Sequence, residues 1–193
     1  MNIDEKLIVI QDGAFWTGDA NTLKVSYDQA IQGAVRSYDA FYNGVLVGTS
    51  EGLYYYRDGK VQNVIDGQNV VAVKIKSGKN GAVVVDREGK IYYAYIMVTD
   101  SGFYVQLQDI SKSVSDIDFT DCLMTYVNDT FYITSDDEIF GLYIDRTAEG
   151  TIRRFDRVIS FEGQKIGSLS NHNNRLIVSF KTGAVKSDVF EKL

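Results

Sequence analysis

Few residues in the chain could support nucleophilic or metal chemistry. There is one histidine, His172, and one cysteine, Cys122. His172 lies in a run of asparagines that predicts a turn, and a His-activated nucleophile would need a Ser, Thr or Cys side chain held against it. Cys122 follows three aspartates, whose charge disfavours the reactive thiolate. The sequence contains no Gly-x-Ser-x-Gly motif. We therefore expect no catalytic residue and no enzymatic activity.

Acidic clusters are the remaining candidates for a metal site. A calcium loop needs oxygen ligands at alternating positions around a sharp glycine turn, and neither cluster contains that glycine. A tetrahedral zinc site would need two carboxylates besides the single His and Cys. We therefore interpret the clusters as solvated turns and expect no metal and no cofactor. Their residues are Asp116, Asp118 and Asp121, and then Asp136, Asp137 and Glu138.

Turn signals mark the elements that must position any site. Asn, Asp and Gly tolerate the positive φ of tight hairpins, and here they recur as pairs nine residues apart. Runs of Val, Ile, Tyr and Phe lie between them, and helical periodicity is nearly absent, which favours an all-β fold. The pairs begin at Asp12, Asn43, Asn80, Asn128 and Asn174, and they end at Asn21, Gly52, Gly89, Asp137 and Gly183.

Each pair of signals encloses one strand, which predicts five antiparallel meanders. Further turns at Asp58-Gly59, Ser101-Gly102 and Glu149-Gly150 predict a fourth strand in three of the units. The enclosed central strands are residues 14–17, 45–49, 82–85, 131–134 and 175–179. One position in each central strand is expected to be buried, and these positions are Trp16, Leu46, Val84, Tyr132 and Ile177.

Residues 47–60 resemble a known repeat. The run Gly48-Thr49-Ser50-Glu51-Gly52-Leu53-Tyr54 is similar to the Gly-Thr-x-x-Gly-Leu-Tyr repeat in propeller domains of bacterial sensor proteins, where it turns the second strand of a blade into the third. The resemblance implies a five-bladed β-propeller that occupies residues 1–193 as a single domain. An irregular β-sandwich is the alternative that the same strands could build.

A propeller also raises the question of glycoside hydrolysis, because some five-bladed propellers are glycosidases with paired acids at the ends of inner strands. Asp39 and Asp118 lie late in the predicted inner strands 35–41 and 114–120. Such hydrolases carry long loops and several tryptophans for sugar stacking. This chain has tight turns and one tryptophan, so a glycosidase is the least favoured interpretation.

The last unit lacks the fourth strand that three other units have. Its final strand, residues 184–190, would therefore present unpaired backbone groups. We expect this edge to be covered either by residues 2–10, which include the apolar run Leu7-Ile8-Val9-Ile10, or by a strand added from a partner chain.

Composition limits the classes of partner. The chain has 193 residues, of which 45% are hydrophobic and 24% charged, enough for a core without disulfides. A net charge of −6 with scattered Lys and Arg argues against nucleic acid or a membrane surface as partner. The densest basic group, Arg153, Arg154 and Arg157, is predicted on an outer strand, where charge blocks edge pairing. No signal peptide or transmembrane segment is recognisable, so we expect a virion or cytoplasmic location.

These observations together predict a non-enzymatic scaffold for protein-protein assembly, with partner subunits of the same or another kind. A compact, Pro-free, Tyr-rich propeller is similar in style to the small β-domains of tailed-bacteriophage virions and tails, which implies a structural virion component. The alternative is a recognition propeller of the sensor or lectin type that binds a small ligand or glycan. Tyr is enriched at interfaces, and exposed tyrosines would serve either function.

Overall fold

A computed structural model describes residues 2–3, 6–100, 102–114, 117–147, 150–183 and 185–188. In these ranges the chain is all-β apart from a short 3₁₀ helix, Ser111–Val114. The chain forms two compact units, the first of residues 1–77, 81–87 and 91–109 and the second of residues 78–80, 88–90 and 110–193. Whether residues 1–193 behave as one domain stays a prediction.

The described strands form five antiparallel meanders, which we call blades, and this confirms the predicted repeat. Blade 1 is β1 Asn2–Ile3, β2 Lys6–Gln11, β3 Ala14–Asp19 and β4 Val25–Ala30, and blade 2 is β5 Val35–Phe41, β6 Gly44–Thr49, β7 Gly52–Arg57 and β8 Lys60–Gln68. Blade 3 is β9 Ala72–Ser77, β10 Ala82–Asp86, β11 Ile91–Thr99 and β12 Gly102–Asp109. Blade 4 is β13 Met124–Val127, β14 Thr130–Ser135, β15 Glu138–Thr147 and β16 Gly150–Ser160, and blade 5 is β17 Ile166–His172, β18 Arg175–Phe180 and β19 Val185–Asp188.

The central strands lie where the turn spacing placed them, in β3, β6, β10, β14 and β18. The fourth strands predicted after residues 58–59, 101–102 and 149–150 are β8, β12 and β16. In the first unit, blades 2 and 3 join into one eight-stranded sheet through a parallel bridge between Ile65 and Gln106. The fold class predicted from the sequence is therefore confirmed: the chain is a series of propeller-type meanders.

One turn is displaced by a residue from its predicted place. The first turn of blade 2 consists of Tyr42 and Asn43, with φ of 41° and 56°, and not of Asn43 and Gly44. Gly44 instead begins β6, where a Cβ atom would lie 2.5 Å from the carbonyl oxygen of Tyr56. Gly44 is thus needed for close packing against β7. Tyr42 takes the left-handed backbone conformation in its place, which a bulky residue rarely adopts.

The predicted inner strand at residues 114–120 is wrong. Val114 ends the 3₁₀ helix, and the inner strand of blade 4 is β13, Met124–Val127. Local bonds explain the difference, because Asp118 Oδ1 accepts the Thr120 N–H at 2.8 Å and the Cys122 N–H donates to the Phe119 carbonyl at 3.1 Å. Short polar side chains that bond their own backbone favour turns over strands.

Within the described residues, apolar cores lie between neighbouring blades in both units. Each core contains side chains from two neighbouring blades, so the blades pack face to face. Alternate residues of a strand point to opposite faces of its blade. The core between blades 2 and 3 includes Leu46, Leu53, Tyr55, Val84 and Leu107, that between blades 1 and 2 includes Ile8, Phe15, Val45, Val47 and Tyr56, and that between blades 4 and 5 includes Tyr132, Ile139, Ile166, Leu176 and Val178.

Burial of the five equivalent positions is confirmed for Leu46, Val84 and Tyr132. Trp16 and Ile177 are less completely buried than these three. In the first and last blades the neighbouring positions of the alternation, such as Phe15 and Leu176, point into the core instead.

The apolar run at residues 7–10 lies in β2, which pairs with β1 on one side and β3 on the other. The run is therefore the inner strand of blade 1, and the expectation that it covers the last blade is wrong for the described residues. Among those residues β19 pairs with β18 alone. Residues 184, 189 and 190 of the predicted last strand lie outside the described ranges.

Candidate functional site

His172 and Cys122 occupy different environments in the second unit. His172 ends β17 beside the Asn173-Asn174 turn, and its exposed ring places Nε2 3.3 Å from Asn173 Nδ2. Cys122 is buried in the segment that leads into β13. His172 therefore lies at the end of a strand, one residue before the turn on which the sequence analysis placed it. The absence of catalytic residues stays a prediction.

The acidic residues of the second unit are engaged mainly by turns and cations. The side-chain and backbone hydrogen bonds from Thr120 hold the pKa of the Asp118 carboxyl below its usual value. Asp136 lies 3.9 Å from Lys165, and Glu138 accepts a hydrogen bond from Arg157 at 2.9 Å. In the described part of the chain no three His, Cys, Asp or Glu side chains are grouped as metal ligands. Asp116 lies outside the described residues.

Asp39 lies on β5, as predicted, but fixed donors surround its carboxylate. Oδ2 accepts the Ser77 N–H at 2.8 Å and lies 3.3 Å from Lys76 Nζ, while Oδ1 accepts the Ala40 N–H at 2.9 Å. These bonds tie β5 to the end of β9. Asp39 therefore links two inner strands, and Asp118 does not lie on a strand at all.

The basic group predicted on an outer strand lies on β16. Arg154 is 2.5 Å from Asp156, and its guanidinium lies 4.8 Å from the centre of the Tyr143 ring. The side chain of Arg153 lies outside the described part of the structure. Acidic or aromatic neighbours thus engage the described arginines of this group.

An apolar groove opens on the surface of the first unit, with a volume of about 290 Å³. Of the residues that line it, Val98 is 80% exposed and Tyr42 is 37% exposed. The Arg57 guanidinium stacks over the Phe103 ring at 4.9 Å. The residues that line this groove are Tyr42, Asn43, Arg57, Ile96, Val98 and Phe103.

The groove lies between a hairpin and a turn. The β11–β12 hairpin pairs Ile96 with Val105 and Val98 with Phe103, so it supplies one wall. The Tyr42-Asn43 turn supplies the other wall, and the Tyr55 hydroxyl holds the turn by donating to the Tyr42 carbonyl at 2.5 Å. Burial raises the pKa of Tyr55 to about 12, so this donor stays protonated at neutral pH.

A second cavity of about 460 Å³ lies between blades 1 and 2 of the same unit. We call it the Asp28 pocket. Phe15 pairs with Gln29 and Trp16 with Tyr27, so Asp28 is the extra residue of a β-bulge. Bulges commonly re-aim side chains next to functional sites. Besides Asp28, the pocket is lined by Lys6, Ile8, Thr17, Gly18, Ser26, Asn43, Tyr56, Asp58 and Gly59.

Fixed hydroxyl donors hold one oxygen of the Asp28 carboxylate. Oδ2 accepts hydrogen bonds from Thr17 Oγ1 at 3.3 Å and from the Tyr56 hydroxyl. Burial, followed by the hydrogen bond to Asp28, raises the pKa of Tyr56 well above its usual value, so this hydroxyl is a permanent donor at neutral pH. Among the described residues Oδ1 has no hydrogen-bond partner, and it lies beside Gly59, which also lines the pocket.

Cations balance the other carboxylate of the pocket. Lys6 Nζ lies 3.1 Å from Asp58 Oδ1, and Arg57 Nε lies 3.1 Å from Asp58 Oδ2. The hydrogen bond from Lys6, ahead of the one from Arg57, holds the pKa of Asp58 below its usual value. The surroundings of the pocket thus neutralise Asp58 and leave Asp28 as the carboxylate without a cation.

Neither surface was recognised in the sequence. Val98 belongs to a run of apolar residues that predicts a strand, and nothing in that run indicates which side chain is exposed. Asp28 is one of many acidic residues, and a bulge has no reliable sequence signal. The only available pointer was the Asp58-Gly59 turn signal, which forms the rim of the Asp28 pocket.

No protein-family model matches the chain, and no curated protein matches it in sequence. Its fold does resemble solved structures. PorZ, described as an essential bacterial surface component of the type-IX secretion system of Porphyromonas gingivalis, matches with a TM-score of 0.57 and 10% identity over 97% of this chain and 24% of PorZ.

Two further matches involve Nup159. Its N-terminal domain has a TM-score of 0.51 and 10% identity over 97% of this chain and 58% of that domain. A chain in the structure of S. cerevisiae Dbp5 bound to Nup159, Gle1, IP6 and ADP has a TM-score of 0.52 and 12% identity over 96% of this chain and 57% of that one. At such identities the likeness shows the fold alone. Since PorZ and the Nup159 domain are propeller-like, the chain has a propeller-type fold.

Proposed function

We propose that the protein is a non-enzymatic scaffold that binds another protein through the apolar groove of its first unit. The observation that carries the proposal is the exposure of Val98 and Tyr42 around a concave apolar surface that Phe103 lines. Large apolar side chains clustered around a cavity mark interaction sites, whereas single exposed ones need no explanation.

The chemistry of the groove suits a protein partner. Interface centres are enriched in Tyr, Phe and Arg, and a few such residues supply most of the binding energy. Here Tyr42, Phe103 and Arg57 lie together, and the hydrogen bond from Tyr55 holds the turn that carries Tyr42. A wall that is fixed before binding loses little conformational entropy on association.

A non-catalytic role agrees with the environment of the nucleophile candidates. Cys122 is buried, and His172 is an exposed strand-end residue next to an amide. Asp39 is held by backbone and lysine donors. The propeller-like neighbours also support a binding role, since one matched chain comes from a structure in which Dbp5 is bound to Nup159 and Gle1.

Within the class of scaffolds, we propose a structural component of a tailed-phage virion or tail. The support is compositional: the chain is small, free of proline and rich in tyrosine, with 13 Tyr residues. A second contact would come from strand addition at β19, whose outer edge has no partner strand within residues 185–188 and the other described ranges.

Site-specific photo-crosslinking in the native source tests the proposal. The full chain carries p-benzoylphenylalanine in place of Val98, and a control chain carries it in place of Leu23, which is 70% exposed and lies outside the groove. The proposal predicts a defined protein adduct from the Val98 position alone. It also predicts that Val98→Asp abolishes co-purification of that protein, while Leu23→Asp does not.

Two results would contradict the proposal. One is the same adduct pattern from both positions, or none from either. The other is a protein that is monomeric when isolated from its source and binds a small ligand or glycan, which would favour the recognition-propeller alternative.

A further inference from the structure

The Asp28 pocket extends the proposed binding surface. We propose that it accepts a basic side chain, Lys or Arg, of the protein segment that lies in the apolar groove. The inference rests on the proposed function, because the segment is the partner that the groove binds. It adds the chemistry of that partner: a cation flanked by apolar residues.

The state of the Asp28 carboxylate is the first step in the argument. Both hydrogen bonds that it accepts from the described residues end on Oδ2, and Asp28 lines a cavity of about 460 Å³. Oδ1 accepts no hydrogen bond from these residues, so it can accept one from a bound group without breaking a contact within the protein. An N–H donor on a cation would supply the strongest kind of hydrogen bond there.

The balance of charge is the second step. Lys6 and Arg57 both pair with Asp58, so these three residues have no negative charge left to attract a cation. Asp28 receives only neutral hydroxyl donors, from Thr17 and Tyr56. The two cations and two carboxylates therefore sum to zero, but both cations contact Asp58, so Asp28 is the carboxylate with which an incoming basic side chain can pair directly.

Continuity between the two surfaces is the third step. Asn43 lines both the groove and the pocket. Arg57 lies over Phe103 in the groove, while its Nε contacts Asp58 at the rim of the pocket. A segment in the groove can thus direct a long basic side chain past Asn43 to Asp28, with its apolar neighbours on Val98 and Phe103.

The pocket fits other occupants less well. Sugar sites present an exposed aromatic face for stacking, but Tyr56 is 1% exposed and offers only its hydroxyl. A divalent cation needs more oxygen ligands than one open carboxylate, and no cluster of three acidic, His or Cys ligands occurs among the residues that the structure describes.

The experiment uses two peptides and the ¹⁵N-labelled full chain. The first is acetyl-Leu-Phe-Lys-Leu-amide, and the second replaces its lysine by norleucine, which has nearly the same length and no charge. Each is titrated to millimolar concentration while amide chemical shifts are followed. We expect the lysine peptide to shift the amides of Thr17, Asp28 and Gly59 as well as those of the groove, and to bind about tenfold more tightly than the norleucine peptide.

Matched variants locate the effect. Asp28→Asn, which keeps the side-chain shape, should reduce the affinity for the lysine peptide to that for the norleucine peptide. Asp12→Asn, which makes the same charge change on an exposed turn outside the pocket, should leave it unchanged. The comparison of the two peptides on the unmodified chain needs no variant, so it stands even where Asp28→Asn fails to fold.

The inference is overturned by equal affinities for the two peptides, by the absence of shifts at Thr17, Asp28 and Gly59, or by undiminished lysine binding in a folded Asp28→Asn protein. None of these results bears on the groove itself. The proposed function fails separately, when crosslinking at Val98 captures no protein or Val98→Asp leaves the complex intact.

Discussion

Asp28 and Asp39 both lie on strands of the first unit, but they differ in how many of their carboxylate oxygens are bonded within the protein. Asp39 is enclosed by two backbone N–H groups and a lysine, so both of its oxygens are used within the protein. Asp28 has the same chemistry but accepts hydrogen bonds only at Oδ2, and it lines a cavity. The difference arises from a bulge at Asp28, because the extra residue turns the carboxylate towards blade 2.

The comparison teaches that residue type does not separate a structural carboxylate from a binding one. In Asp39, backbone and lysine donors occupy both carboxylate oxygens. In Asp28, hydroxyl donors bind one oxygen only, so they orient the carboxylate and leave the other oxygen without a protein donor among the described residues. We therefore assign Asp39 to stability and Asp28 to recognition. The variants below test that division, beginning with the largest expected effect.

The core beneath Asp39 is tested by Leu46→Ala. Leu46 is the register partner of Asp39 and has no exposed surface. Truncating a buried leucine leaves a cavity and should lower the free energy of unfolding by about 2 to 5 kcal/mol. Denaturant midpoints measure the change, and Ile177→Ala, at a half-buried position, should cost clearly less. Equal costs for the two variants would show that the burial pattern is misassigned.

Removing the two carboxylates should give unequal effects on stability. Asp39→Ala leaves the part-buried Ser77 N–H without an acceptor, so we expect a loss of about 1 to 3 kcal/mol. Asp28→Ala should cost less, because water in the pocket can accept from Thr17 and Tyr56. Urea unfolding of both variants provides the measurement. A larger loss for Asp28→Ala would reverse the assignment.

The pKa of Asp58 gives a smaller and more local effect. It is lowered in the folded protein, by Lys6 first. The stability that this carboxylate contributes is therefore present above the unfolded pKa and is lost as the pH falls through the folded pKa. The ¹³C shift of the Asp58 carboxyl should titrate below pH 3.8, the ordinary value, and Lys6→Met should raise its midpoint. Lys112→Met, in the other unit, serves as the control and should not move it.

The smallest effect is expected at His172 and Cys122. His172→Ala and Cys122→Ser should leave partner binding intact, since neither residue lies in the groove or the Asp28 pocket. Crosslinking yield at Val98 is the measurement. Loss of biological activity from either variant, in a protein that remains folded, would overturn the proposal that the chain is not an enzyme.

The fold was largely predictable because its information is local. Pairs such as Asp12-Gly13 and Asn128-Asp129 adopt the positive φ that two-residue hairpins need, and their constant spacing fixes the central strands. The prediction failed where contacts with other parts of the chain, or local side-chain bonds, determine the backbone conformation. Gly44 is required by Tyr56 rather than by a turn, and residues 117–120 form local bonds instead of a strand.

The candidate site was not predictable from the sequence because it depends on contacts between blades. The groove joins the turn after β5 to the β11–β12 hairpin, about fifty residues further along the chain. Asp28 is defined by a hydroxyl on β7 and by a bulge, and neither leaves a pattern near residue 28. Exposed residues such as Val98 differ from buried valines only in what the fold places around them.

The affinity of the lysine peptide for Asp28→Asn compared with Asp39→Asn tests the central claim most directly. Both variants remove one negative charge from the first unit and preserve side-chain shape, so their long-range electrostatic effects are matched. Our account predicts binding about tenfold weaker for Asp28→Asn and unchanged binding for a folded Asp39→Asn protein. Equal losses in the two variants, or a loss in Asp39→Asn alone, would contradict it.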